Sequence, residues 1–171
     1  EIELYKVASS ETTNLFNLKT MAQLGKPLII STGMCDISDV YQAVKLCQHI
    51  KNEKIILLHS SSFYPTEHCD SNINAMSTLE NTFNTLVGFS DHTMDSVSAV
   101  LSIGRNACVV EKHITLDRRM DGPDHFYACE PNEFSDYVKC LRNAQDALGL
   151  GAVEMNSKIL NIARRKSFFA K

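Results

Sequence analysis

Two histidines occupy corresponding points in two similar segments of the sequence. His92 follows the apolar run that begins at Val87 (VGFSDHT), and His113 follows the run that begins at Cys108 (CVVEKHI). One βα unit fits between them, which predicts that they lie on neighbouring strands about 4.8 Å apart. Imidazoles at matched heights can bind one divalent metal ion and leave coordination positions for substrate oxygens. The alternative is a pair of core histidines satisfied by hydrogen bonds, and spacing alone does not decide between the two.

Polar side chains also follow the other apolar runs. Lys6 could bind a phosphate together with nearby serines, because such a group supplies one cation and several hydrogen-bond donors. Glu11 suits proton transfer or contact with a sugar hydroxyl. Each also has an ordinary alternative: an ion pair for the lysine and the glutamate, and turn hydroxyls for Ser9, Ser31 and Ser90. The polar clusters are residues 6–11, 31–34, 59–65, 90–93, 111–113 and 122–125.

Five short apolar runs predict the strands that position these clusters. The runs are uniformly apolar, as expected for parallel strands covered on both faces, and they begin at Leu4, Pro27, Lys54, Leu86 and Cys108. Between them, apolar residues recur at helical spacing over residues 15–22, 36–50, 97–101 and 131–148, and more weakly over 77–83. Either Asp36 or Ser38 could cap the second helix. The sequence therefore predicts repeated βα units.

Repeated βα units form a parallel sheet, which can be built in two ways. An open doubly wound sheet is one solution, although no glycine-rich phosphate fingerprint follows the first strand. A (β/α)8 barrel is the other, but it needs about 250 residues, and five units are too few to close it. In both folds the carboxyl ends of the strands meet at one face, where ligands bind. The polar clusters are therefore expected to converge there.

Composition excludes several classes of protein. The chain has 171 residues, of which 44% are hydrophobic, and these are enough for one domain with a substantial core. Its net charge of −3 provides no surface for nucleic acid, and the basic cluster at 164–166 is isolated. No apolar run approaches the roughly 20 residues of a membrane span. Cysteines without a CxxC pair indicate reduced thiols in a cytoplasmic protein.

Six motifs carry a resemblance over almost the whole chain. They are YKVASSE, GKPLIISTGM, LHSSSFYPT, GFSDHT, EKHITLDRRMDGPDH and ARRKS. In this order and spacing, the chain resembles the N-acetylneuraminate (sialic acid) synthase family, which includes synthases of pseudaminic, legionaminic and related nonulosonic acids. The resemblance implies an α/β fold in which the five strands are strands four to eight of a (β/α)8 TIM barrel.

The resemblance also implies a reaction and its site. Family enzymes are transferases of carbohydrate biosynthesis that condense phosphoenolpyruvate with an N-acetylmannosamine-type sugar, giving a nine-carbon 2-keto acid and phosphate. A divalent metal, manganese first and magnesium or cobalt as alternatives, would be bound by His92 and His113. Glu11 would transfer a proton. The substrate-binding residues implied are Lys6, Ser9 and Ser31 for the phosphate, Ser62 and Ser90 for the carboxylate, and Tyr64 and Asp124 for the sugar.

Compared with the family, the chain is expected to be partial. Residues 1–150 correspond to the C-terminal part of the barrel, and 151–171 to a tail that leads to an antifreeze-like domain. The first three strands and that domain are absent from the sequence, so 1–171 alone is expected to be inactive. The full-length protein is expected to be a homodimer.

Two other functions remain possible from the sequence. One is another phosphoenolpyruvate-dependent synthase of 3-deoxy sugar acids. The joint presence of SDHT and GPDH argues against it. The other is a non-catalytic remnant that binds a sugar phosphate or a protein. A remnant would be expected to have lost metal- or phosphate-binding groups, but the sequence retains Lys6, Ser31, His92 and His113. The sequence does not identify the amino sugar or whether it is phosphorylated at carbon 6.

Overall fold

A computed structural model describes residues 2–152 of the chain. Five parallel strands, each followed by a helix, make up the fold. The strands are β1 (Tyr5–Val7), β2 (Leu28–Ser31), β3 (Ile55–His59), β4 (Leu86–Asp91) and β5 (Ala107–Lys112). The helices are α1 (Leu15–Gln23), α2 (Ile37–His49), α3 (Ala75–Phe83), α4 (Val97–Ile103) and α5 (Pro131–Leu148). Short 3-10 turns occur at Ser9–Glu11, His68–Asp70 and His125–Tyr127.

The five strands form one sheet in the order β1-β2-β3-β4-β5, and all neighbouring pairs are parallel. The prediction of a five-stranded parallel sheet is therefore confirmed. Each strand lies beside the next one in the sequence, whereas a doubly wound sheet reverses its strand order at a switch point. Residues 2–152 contain no such reversal, which disfavours the doubly wound alternative.

Local signals in the sequence define the helix ends. Of the two candidate caps for α2, Asp36 is used: its side chain accepts from the backbone N–H of Ser38 and Asp39, and Asp39 returns the bond in a capping box. Pro131 occupies the first turn of α5, where its missing N–H costs nothing. Gly25, with φ of +69°, follows the end of α1 in the left-handed conformation that glycine tolerates best.

The hydrophobic core lies between the sheet and the helices. Alternate strand residues face it, and in β2, β3 and β4 these include Ile30, Leu57 and Phe89, each at most 2% exposed. The same alternation directs Lys6, Ser90 and their register partners to the opposite face of the sheet. This division separates the residues that stabilise the fold from those available for chemistry.

Gly88 permits close contact between β4 and β5. A Cβ atom at this position would lie 2.5 Å from the carbonyl oxygen of Val109 and 2.6 Å from Cδ2 of Leu58. The β4–β5 register also shifts between Val87 and Phe89, so the strands cannot separate here without disturbing the pairing that follows.

We expect Gly88→Ala to destabilise the protein by about 3 kcal/mol, the upper part of the usual cost of overpacking, because the clash involves backbone. Urea unfolding followed by circular dichroism measures the loss. Gly104→Ala is the matched control, since its Cβ would meet nothing closer than 3.4 Å. Equal stability of the two variants would contradict the explanation from close strand contact.

No helix within residues 2–152 combines the length and hydropathy needed to cross a membrane. The basic cluster at 164–166, the ARRKS motif and almost all of the predicted tail at 151–171 lie outside the described residues. The boundary at residue 150 therefore stays a prediction.

Candidate active site

Polar side chains from four strands meet on the face of the sheet that points away from the helices. Lys6 Nζ donates to Ser31 Oγ at 2.8 Å and forms an ion pair with Glu111 at 3.4 Å. Ser90 donates to the other oxygen of Glu111 at 2.6 Å. The structure thus brings Lys6, Ser31 and Ser90 together, as the sequence predicted. One cation with two hydroxyls can bind a phosphate or carboxylate group.

Glu111 lies at the centre of this group, although no separate role was predicted for it. The β4–β5 register pairs Ser90 with Glu111, and the same carboxylate reaches Lys6 across the sheet. In the sequence EKH, Glu111 and His113 are two positions apart, so the alternation of side chains along a strand places both on one face. This alternation could have identified Glu111 as a site residue.

His92 and His113 lie side by side at the ends of β4 and β5. Their ring centroids are 5.4 Å apart and their planes are inclined by 70°. Two imidazoles that bind one ion through nitrogen at about 2.1 Å place their centroids on the order of 5 Å apart, so the separation fits a shared ion. The predicted pairing of the two histidines is therefore observed.

Hydrogen-bond partners determine which nitrogen of His92 is available. Nδ1 lies 2.6 Å from the carbonyl oxygen of Ser61, which can only accept, so Nδ1 carries the hydrogen. Nε2 lies 3.3 Å from Ser90 Oγ, but the single hydrogen of Ser90 is donated to Glu111. Burial lowers the pKa of His92, against the opposing effect of the Ser61 bond, and this favours the neutral ring. Its Nε2 lone pair is therefore free of a donor, as a metal ligand requires.

Within residues 2–152, no group of three or more His, Cys, Asp or Glu side chains has a metal-binding arrangement. The histidine pair is thus a sparse set of protein ligands. An ion held there would take its remaining ligands from substrate oxygens or water, which suits a catalytic position more than a structural one.

The predicted sugar residues Tyr64 and Asp124 lie against the histidines. The ring of Tyr64 is centred 4.2 Å from that of His92 and 5.8 Å from that of His113. Burial raises the pKa of Tyr64, and the charges of Asp124 and Glu111 raise it further, so the phenol stays protonated. Asp124 Oδ2 lies 3.9 Å from His113 Nδ1, and its side chain is 62% exposed. It is therefore open to hydroxyl groups of a ligand.

Ser62 has a buried hydroxyl without a partner. Its Oγ is inaccessible to solvent and makes no hydrogen bond in the structure. It faces Gly33, where an added Cβ would lie 3.0 Å from Ser62 Oγ and 2.4 Å from Ser60 Oγ. An unpaired buried hydroxyl beside a glycine is consistent with a ligand-binding position.

Two predicted residues are not brought into contact with this group. Glu11 accepts from the side-chain amides of Asn14 and Asn17 at 3.0 and 3.1 Å, at the exposed start of α1. Ser9 belongs to the preceding 3-10 turn, and its hydroxyl forms no hydrogen bond within the described residues. Within residues 2–152, neither side chain forms a hydrogen bond or ion pair with Lys6 or the histidines.

Asp91 and Lys112 point away from the site, although the sequence grouped them with its clusters. Their side chains are 0% and 3% exposed and form an ion pair at 3.0 Å on the helix side of the sheet. Tyr137 of α5 donates to the same carboxylate at 2.7 Å, and Thr93 donates to its other oxygen. Side chains alternate along a strand, so these residues face opposite to Ser90, His92, Glu111 and His113.

Tyr127 is a further neighbour that the sequence did not indicate. It is 3% exposed, and its hydroxyl lies 3.4 Å from Nδ1 of His113. Burial, followed by a hydrogen bond with Asp124, raises its pKa, so the phenol keeps its hydrogen. The segment HFYA carries no spacing signal that separates a site tyrosine from a core aromatic residue.

Comparison with known proteins identifies relatives over nearly the whole chain. Uncharacterized protein MJ1065 of Methanocaldococcus jannaschii is 41% identical over 99% of this chain and 51% of its own length. The N,N'-diacetyllegionaminic acid synthase of Legionella pneumophila is 39% identical over 88% of the chain and 43% of its own length. The chain therefore spans about half the length of the curated relatives it matches.

A solved structure gives the same result. The N-acetylneuraminic acid (sialic acid) synthetase of Leptospira borgpetersenii superimposes with a TM-score of 0.85 at 30% identity, over 94% of this chain and 56% of that protein. Residues 1–153 match the NeuB family. The resemblance to the sialic acid synthases is confirmed, and the chain belongs to the NeuB family.

Proposed function

We propose that this chain is the C-terminal part, strands four to eight, of the (β/α)8 catalytic barrel of a nonulosonic acid synthase. The reaction proposed is condensation of phosphoenolpyruvate with an N-acetylmannosamine-type sugar, releasing phosphate and giving a nine-carbon 2-keto acid. One observation carries the proposal: the Lys6–Ser31–Glu111–Ser90 group lies directly beside two imidazoles whose spacing fits a shared ion. Two of the relatives, from Legionella pneumophila and Leptospira borgpetersenii, are named as a legionaminic acid synthase and a sialic acid synthetase.

The contacts suggest which residues bind the phosphoenolpyruvate. Lys6 and Ser31 are hydrogen-bonded to each other and would bind its phosphate, with Ser9 completing the set. Ser90 and the unpaired hydroxyl of Ser62 would bind its carboxylate. Binding here would hold the anion beside the histidines, and fixing two reactants in this way converts a bimolecular step into an effectively unimolecular one.

His92 and His113 would hold a divalent ion, manganese first with magnesium or cobalt as alternatives, which would supply Lewis-acid polarisation of the sugar carbonyl. Tyr64 would pack against the sugar, and the exposed carboxylate of Asp124 would accept from its hydroxyls. Glu11 would transfer a proton at the rim of the site. Carbon 3 of phosphoenolpyruvate would attack the aldehyde carbon, water would add at carbon 2, and cleavage of the C–O bond would release phosphate.

The sheet supports a role within a longer protein. In the described residues β1 and β5 each pair on one side only, and the sequential strand order is that of a barrel. Further strands would cover both edges, which would otherwise be open to aggregation. We therefore propose that the chain acts in a cytoplasmic, homodimeric protein of greater length, and that residues 1–171 alone are inactive.

Phosphate release from phosphoenolpyruvate tests the proposal. The full-length reading frame that contains this chain is incubated with manganese and either N-acetylmannosamine or a diacetamido-hexose, and residues 1–171 alone serve as the comparison. We expect release with one of these sugars by the long protein only. Phosphate release with an aldose phosphate that lacks an acetamido group would favour another 3-deoxy sugar acid synthase. No phosphate release with any sugar would favour a non-catalytic remnant.

A further inference from the structure

Backbone hydrogen bonds tie the segment that follows Tyr127 to the segment that carries His113. The N–H of Cys129 donates to the carbonyl of His113 at 2.9 Å, and the N–H of Thr115 donates to the carbonyl of Cys129 at 2.9 Å. Ile114 and Cys129 form an isolated parallel bridge beyond the end of β5, which brings the chain after Tyr127 alongside the residues that follow β5. The phenol therefore approaches His113 from a fixed backbone position rather than from a free loop.

The hydrogens at this contact can be assigned from the groups present. The hydroxyl of Tyr127 lies 3.4 Å from Nδ1 of His113, and Oδ2 of Asp124 lies 3.9 Å from the same nitrogen. The carboxylate is too far for a direct hydrogen bond, but its charge favours a hydrogen on Nδ1. The phenol oxygen has lone pairs and can accept that hydrogen.

His92 shows the same arrangement with a different acceptor. Its Nδ1 faces the carbonyl oxygen of Ser61 at 2.6 Å, which leaves Nε2 unprotonated. A backbone carbonyl accepts from the His92 ring, and a buried phenol lies in the corresponding place beside the His113 ring. The same tautomer at His113 would leave Nε2 of both rings available as a ligand.

We propose that Tyr127 is a positioning residue, which holds the His113 ring with Nδ1 protonated and Nε2 presented toward His92, and so links Asp124 to the metal position. The part of this inference that concerns the metal rests on the proposed function. The part that concerns the tautomer rests on the positions of Tyr127 and Asp124 beside His113. Neither the family match nor the relatives' names assigns a role to this tyrosine.

The test compares the wild-type full-length protein with Tyr127→Phe, which removes the hydroxyl and keeps the buried ring. Histidines are labelled with ¹⁵N, and long-range ¹H–¹⁵N spectra report the tautomer of each ring; the signals missing from His113→Gln identify His113. Binding of Mn²⁺ is measured on the same proteins from the electron paramagnetic resonance of the free ion. Tyr41→Phe is the matched control, because Tyr41 lies on α2 with a 53% exposed side chain.

In the wild type we expect His113 to be protonated at Nδ1. In Tyr127→Phe the Nε2–H form gains population, and the affinity for Mn²⁺ falls by about 10- to 100-fold, as for other residues that orient metal ligands. Tyr41→Phe changes neither quantity. An unchanged tautomer together with unchanged Mn²⁺ affinity in Tyr127→Phe overturns the inference.

The two measurements also separate this inference from the proposed function. If no protein binds Mn²⁺ but the tautomer shifts in Tyr127→Phe, the metal site of the proposed function fails while the positioning by Tyr127 is supported. If the wild type binds Mn²⁺ and the variant binds it equally well with the same tautomer, the metal site stands and the role of Tyr127 is refuted.

Discussion

Replacing His92 by alanine is expected to reduce phosphate release by the full-length protein at least about a thousand-fold. A bound ion acting as a Lewis acid contributes several kcal/mol to the stabilisation of the transition state, and about 4 kcal/mol corresponds to this factor. His92 is one of two candidate ligands, and its Nε2 has no hydrogen-bond donor among the described residues. On the proposed function, this variant would leave His113 as the single imidazole for the ion.

The measurement combines kinetics with titration of Mn²⁺ against the wild type and His92→Ala. His49→Ala is the matched control, since His49 lies exposed in the last turn of α2 and outside the site. The variant His92→Ala should lose Mn²⁺ binding and activity together, and the control should lose neither. Retained Mn²⁺ affinity in His92→Ala would show that the ion binds elsewhere, and the histidine pair would then have another role.

The second large effect is expected behind the site, at Asp91. Its fully buried carboxylate accepts from the ammonium of Lys112, the phenol of Tyr137, and both the backbone and the hydroxyl of Thr93, at distances between 2.7 and 3.0 Å. The variant Asp91→Ala leaves the ammonium of Lys112, itself 3% exposed, without its counter-charge. Removing one partner of a buried ion pair costs about 3–5 kcal/mol, so we expect a loss of stability in this range.

Urea unfolding of the wild type, Asp91→Ala and the control Asp136→Ala measures this loss. Asp136 pairs with Lys139 at 3.0 Å, but both side chains are at least 70% exposed, and such pairs contribute between about 0 and 1 kcal/mol. The double variant Asp91→Leu with Lys112→Met should recover part of the loss, because it removes both buried charges. Equal losses in Asp91→Ala and Asp136→Ala would contradict the explanation from the buried pair.

Periodicity in the sequence was sufficient to predict the sheet and its helices. Uniformly apolar runs gave the strands, and residues such as Asp36 and Pro131 marked the helix starts that the structure shows. The meeting of Lys6 with Ser31 also followed from the sequence, because parallel strands end at one face. These predictions depend on chain direction and side-chain alternation, which are local properties.

The remaining parts of the site depend on contacts that local patterns do not encode. The acceptor for His92 is the backbone carbonyl of Ser61, and no residue type signals it. Tyr127 is brought to His113 by a bridge between separate segments. The orientation of Asp91 could have been predicted by applying the period of two to SDH, whereas grouping polar residues by position alone obscured it.

The alternation in β4 and β5 also limits how this region can change. Successive residues serve two different purposes: Ser90 and His92 face the candidate active site, while Asp91 between them bonds to Tyr137 of α5. A substitution affects one purpose at a time, but inserting or deleting a single residue within β4 would exchange the two sets of side chains. It would turn an aspartate toward the candidate active site and an imidazole toward the core. Divergence among proteins that keep this site must therefore proceed in β4 by replacement of residues, with changes in length confined to the loops.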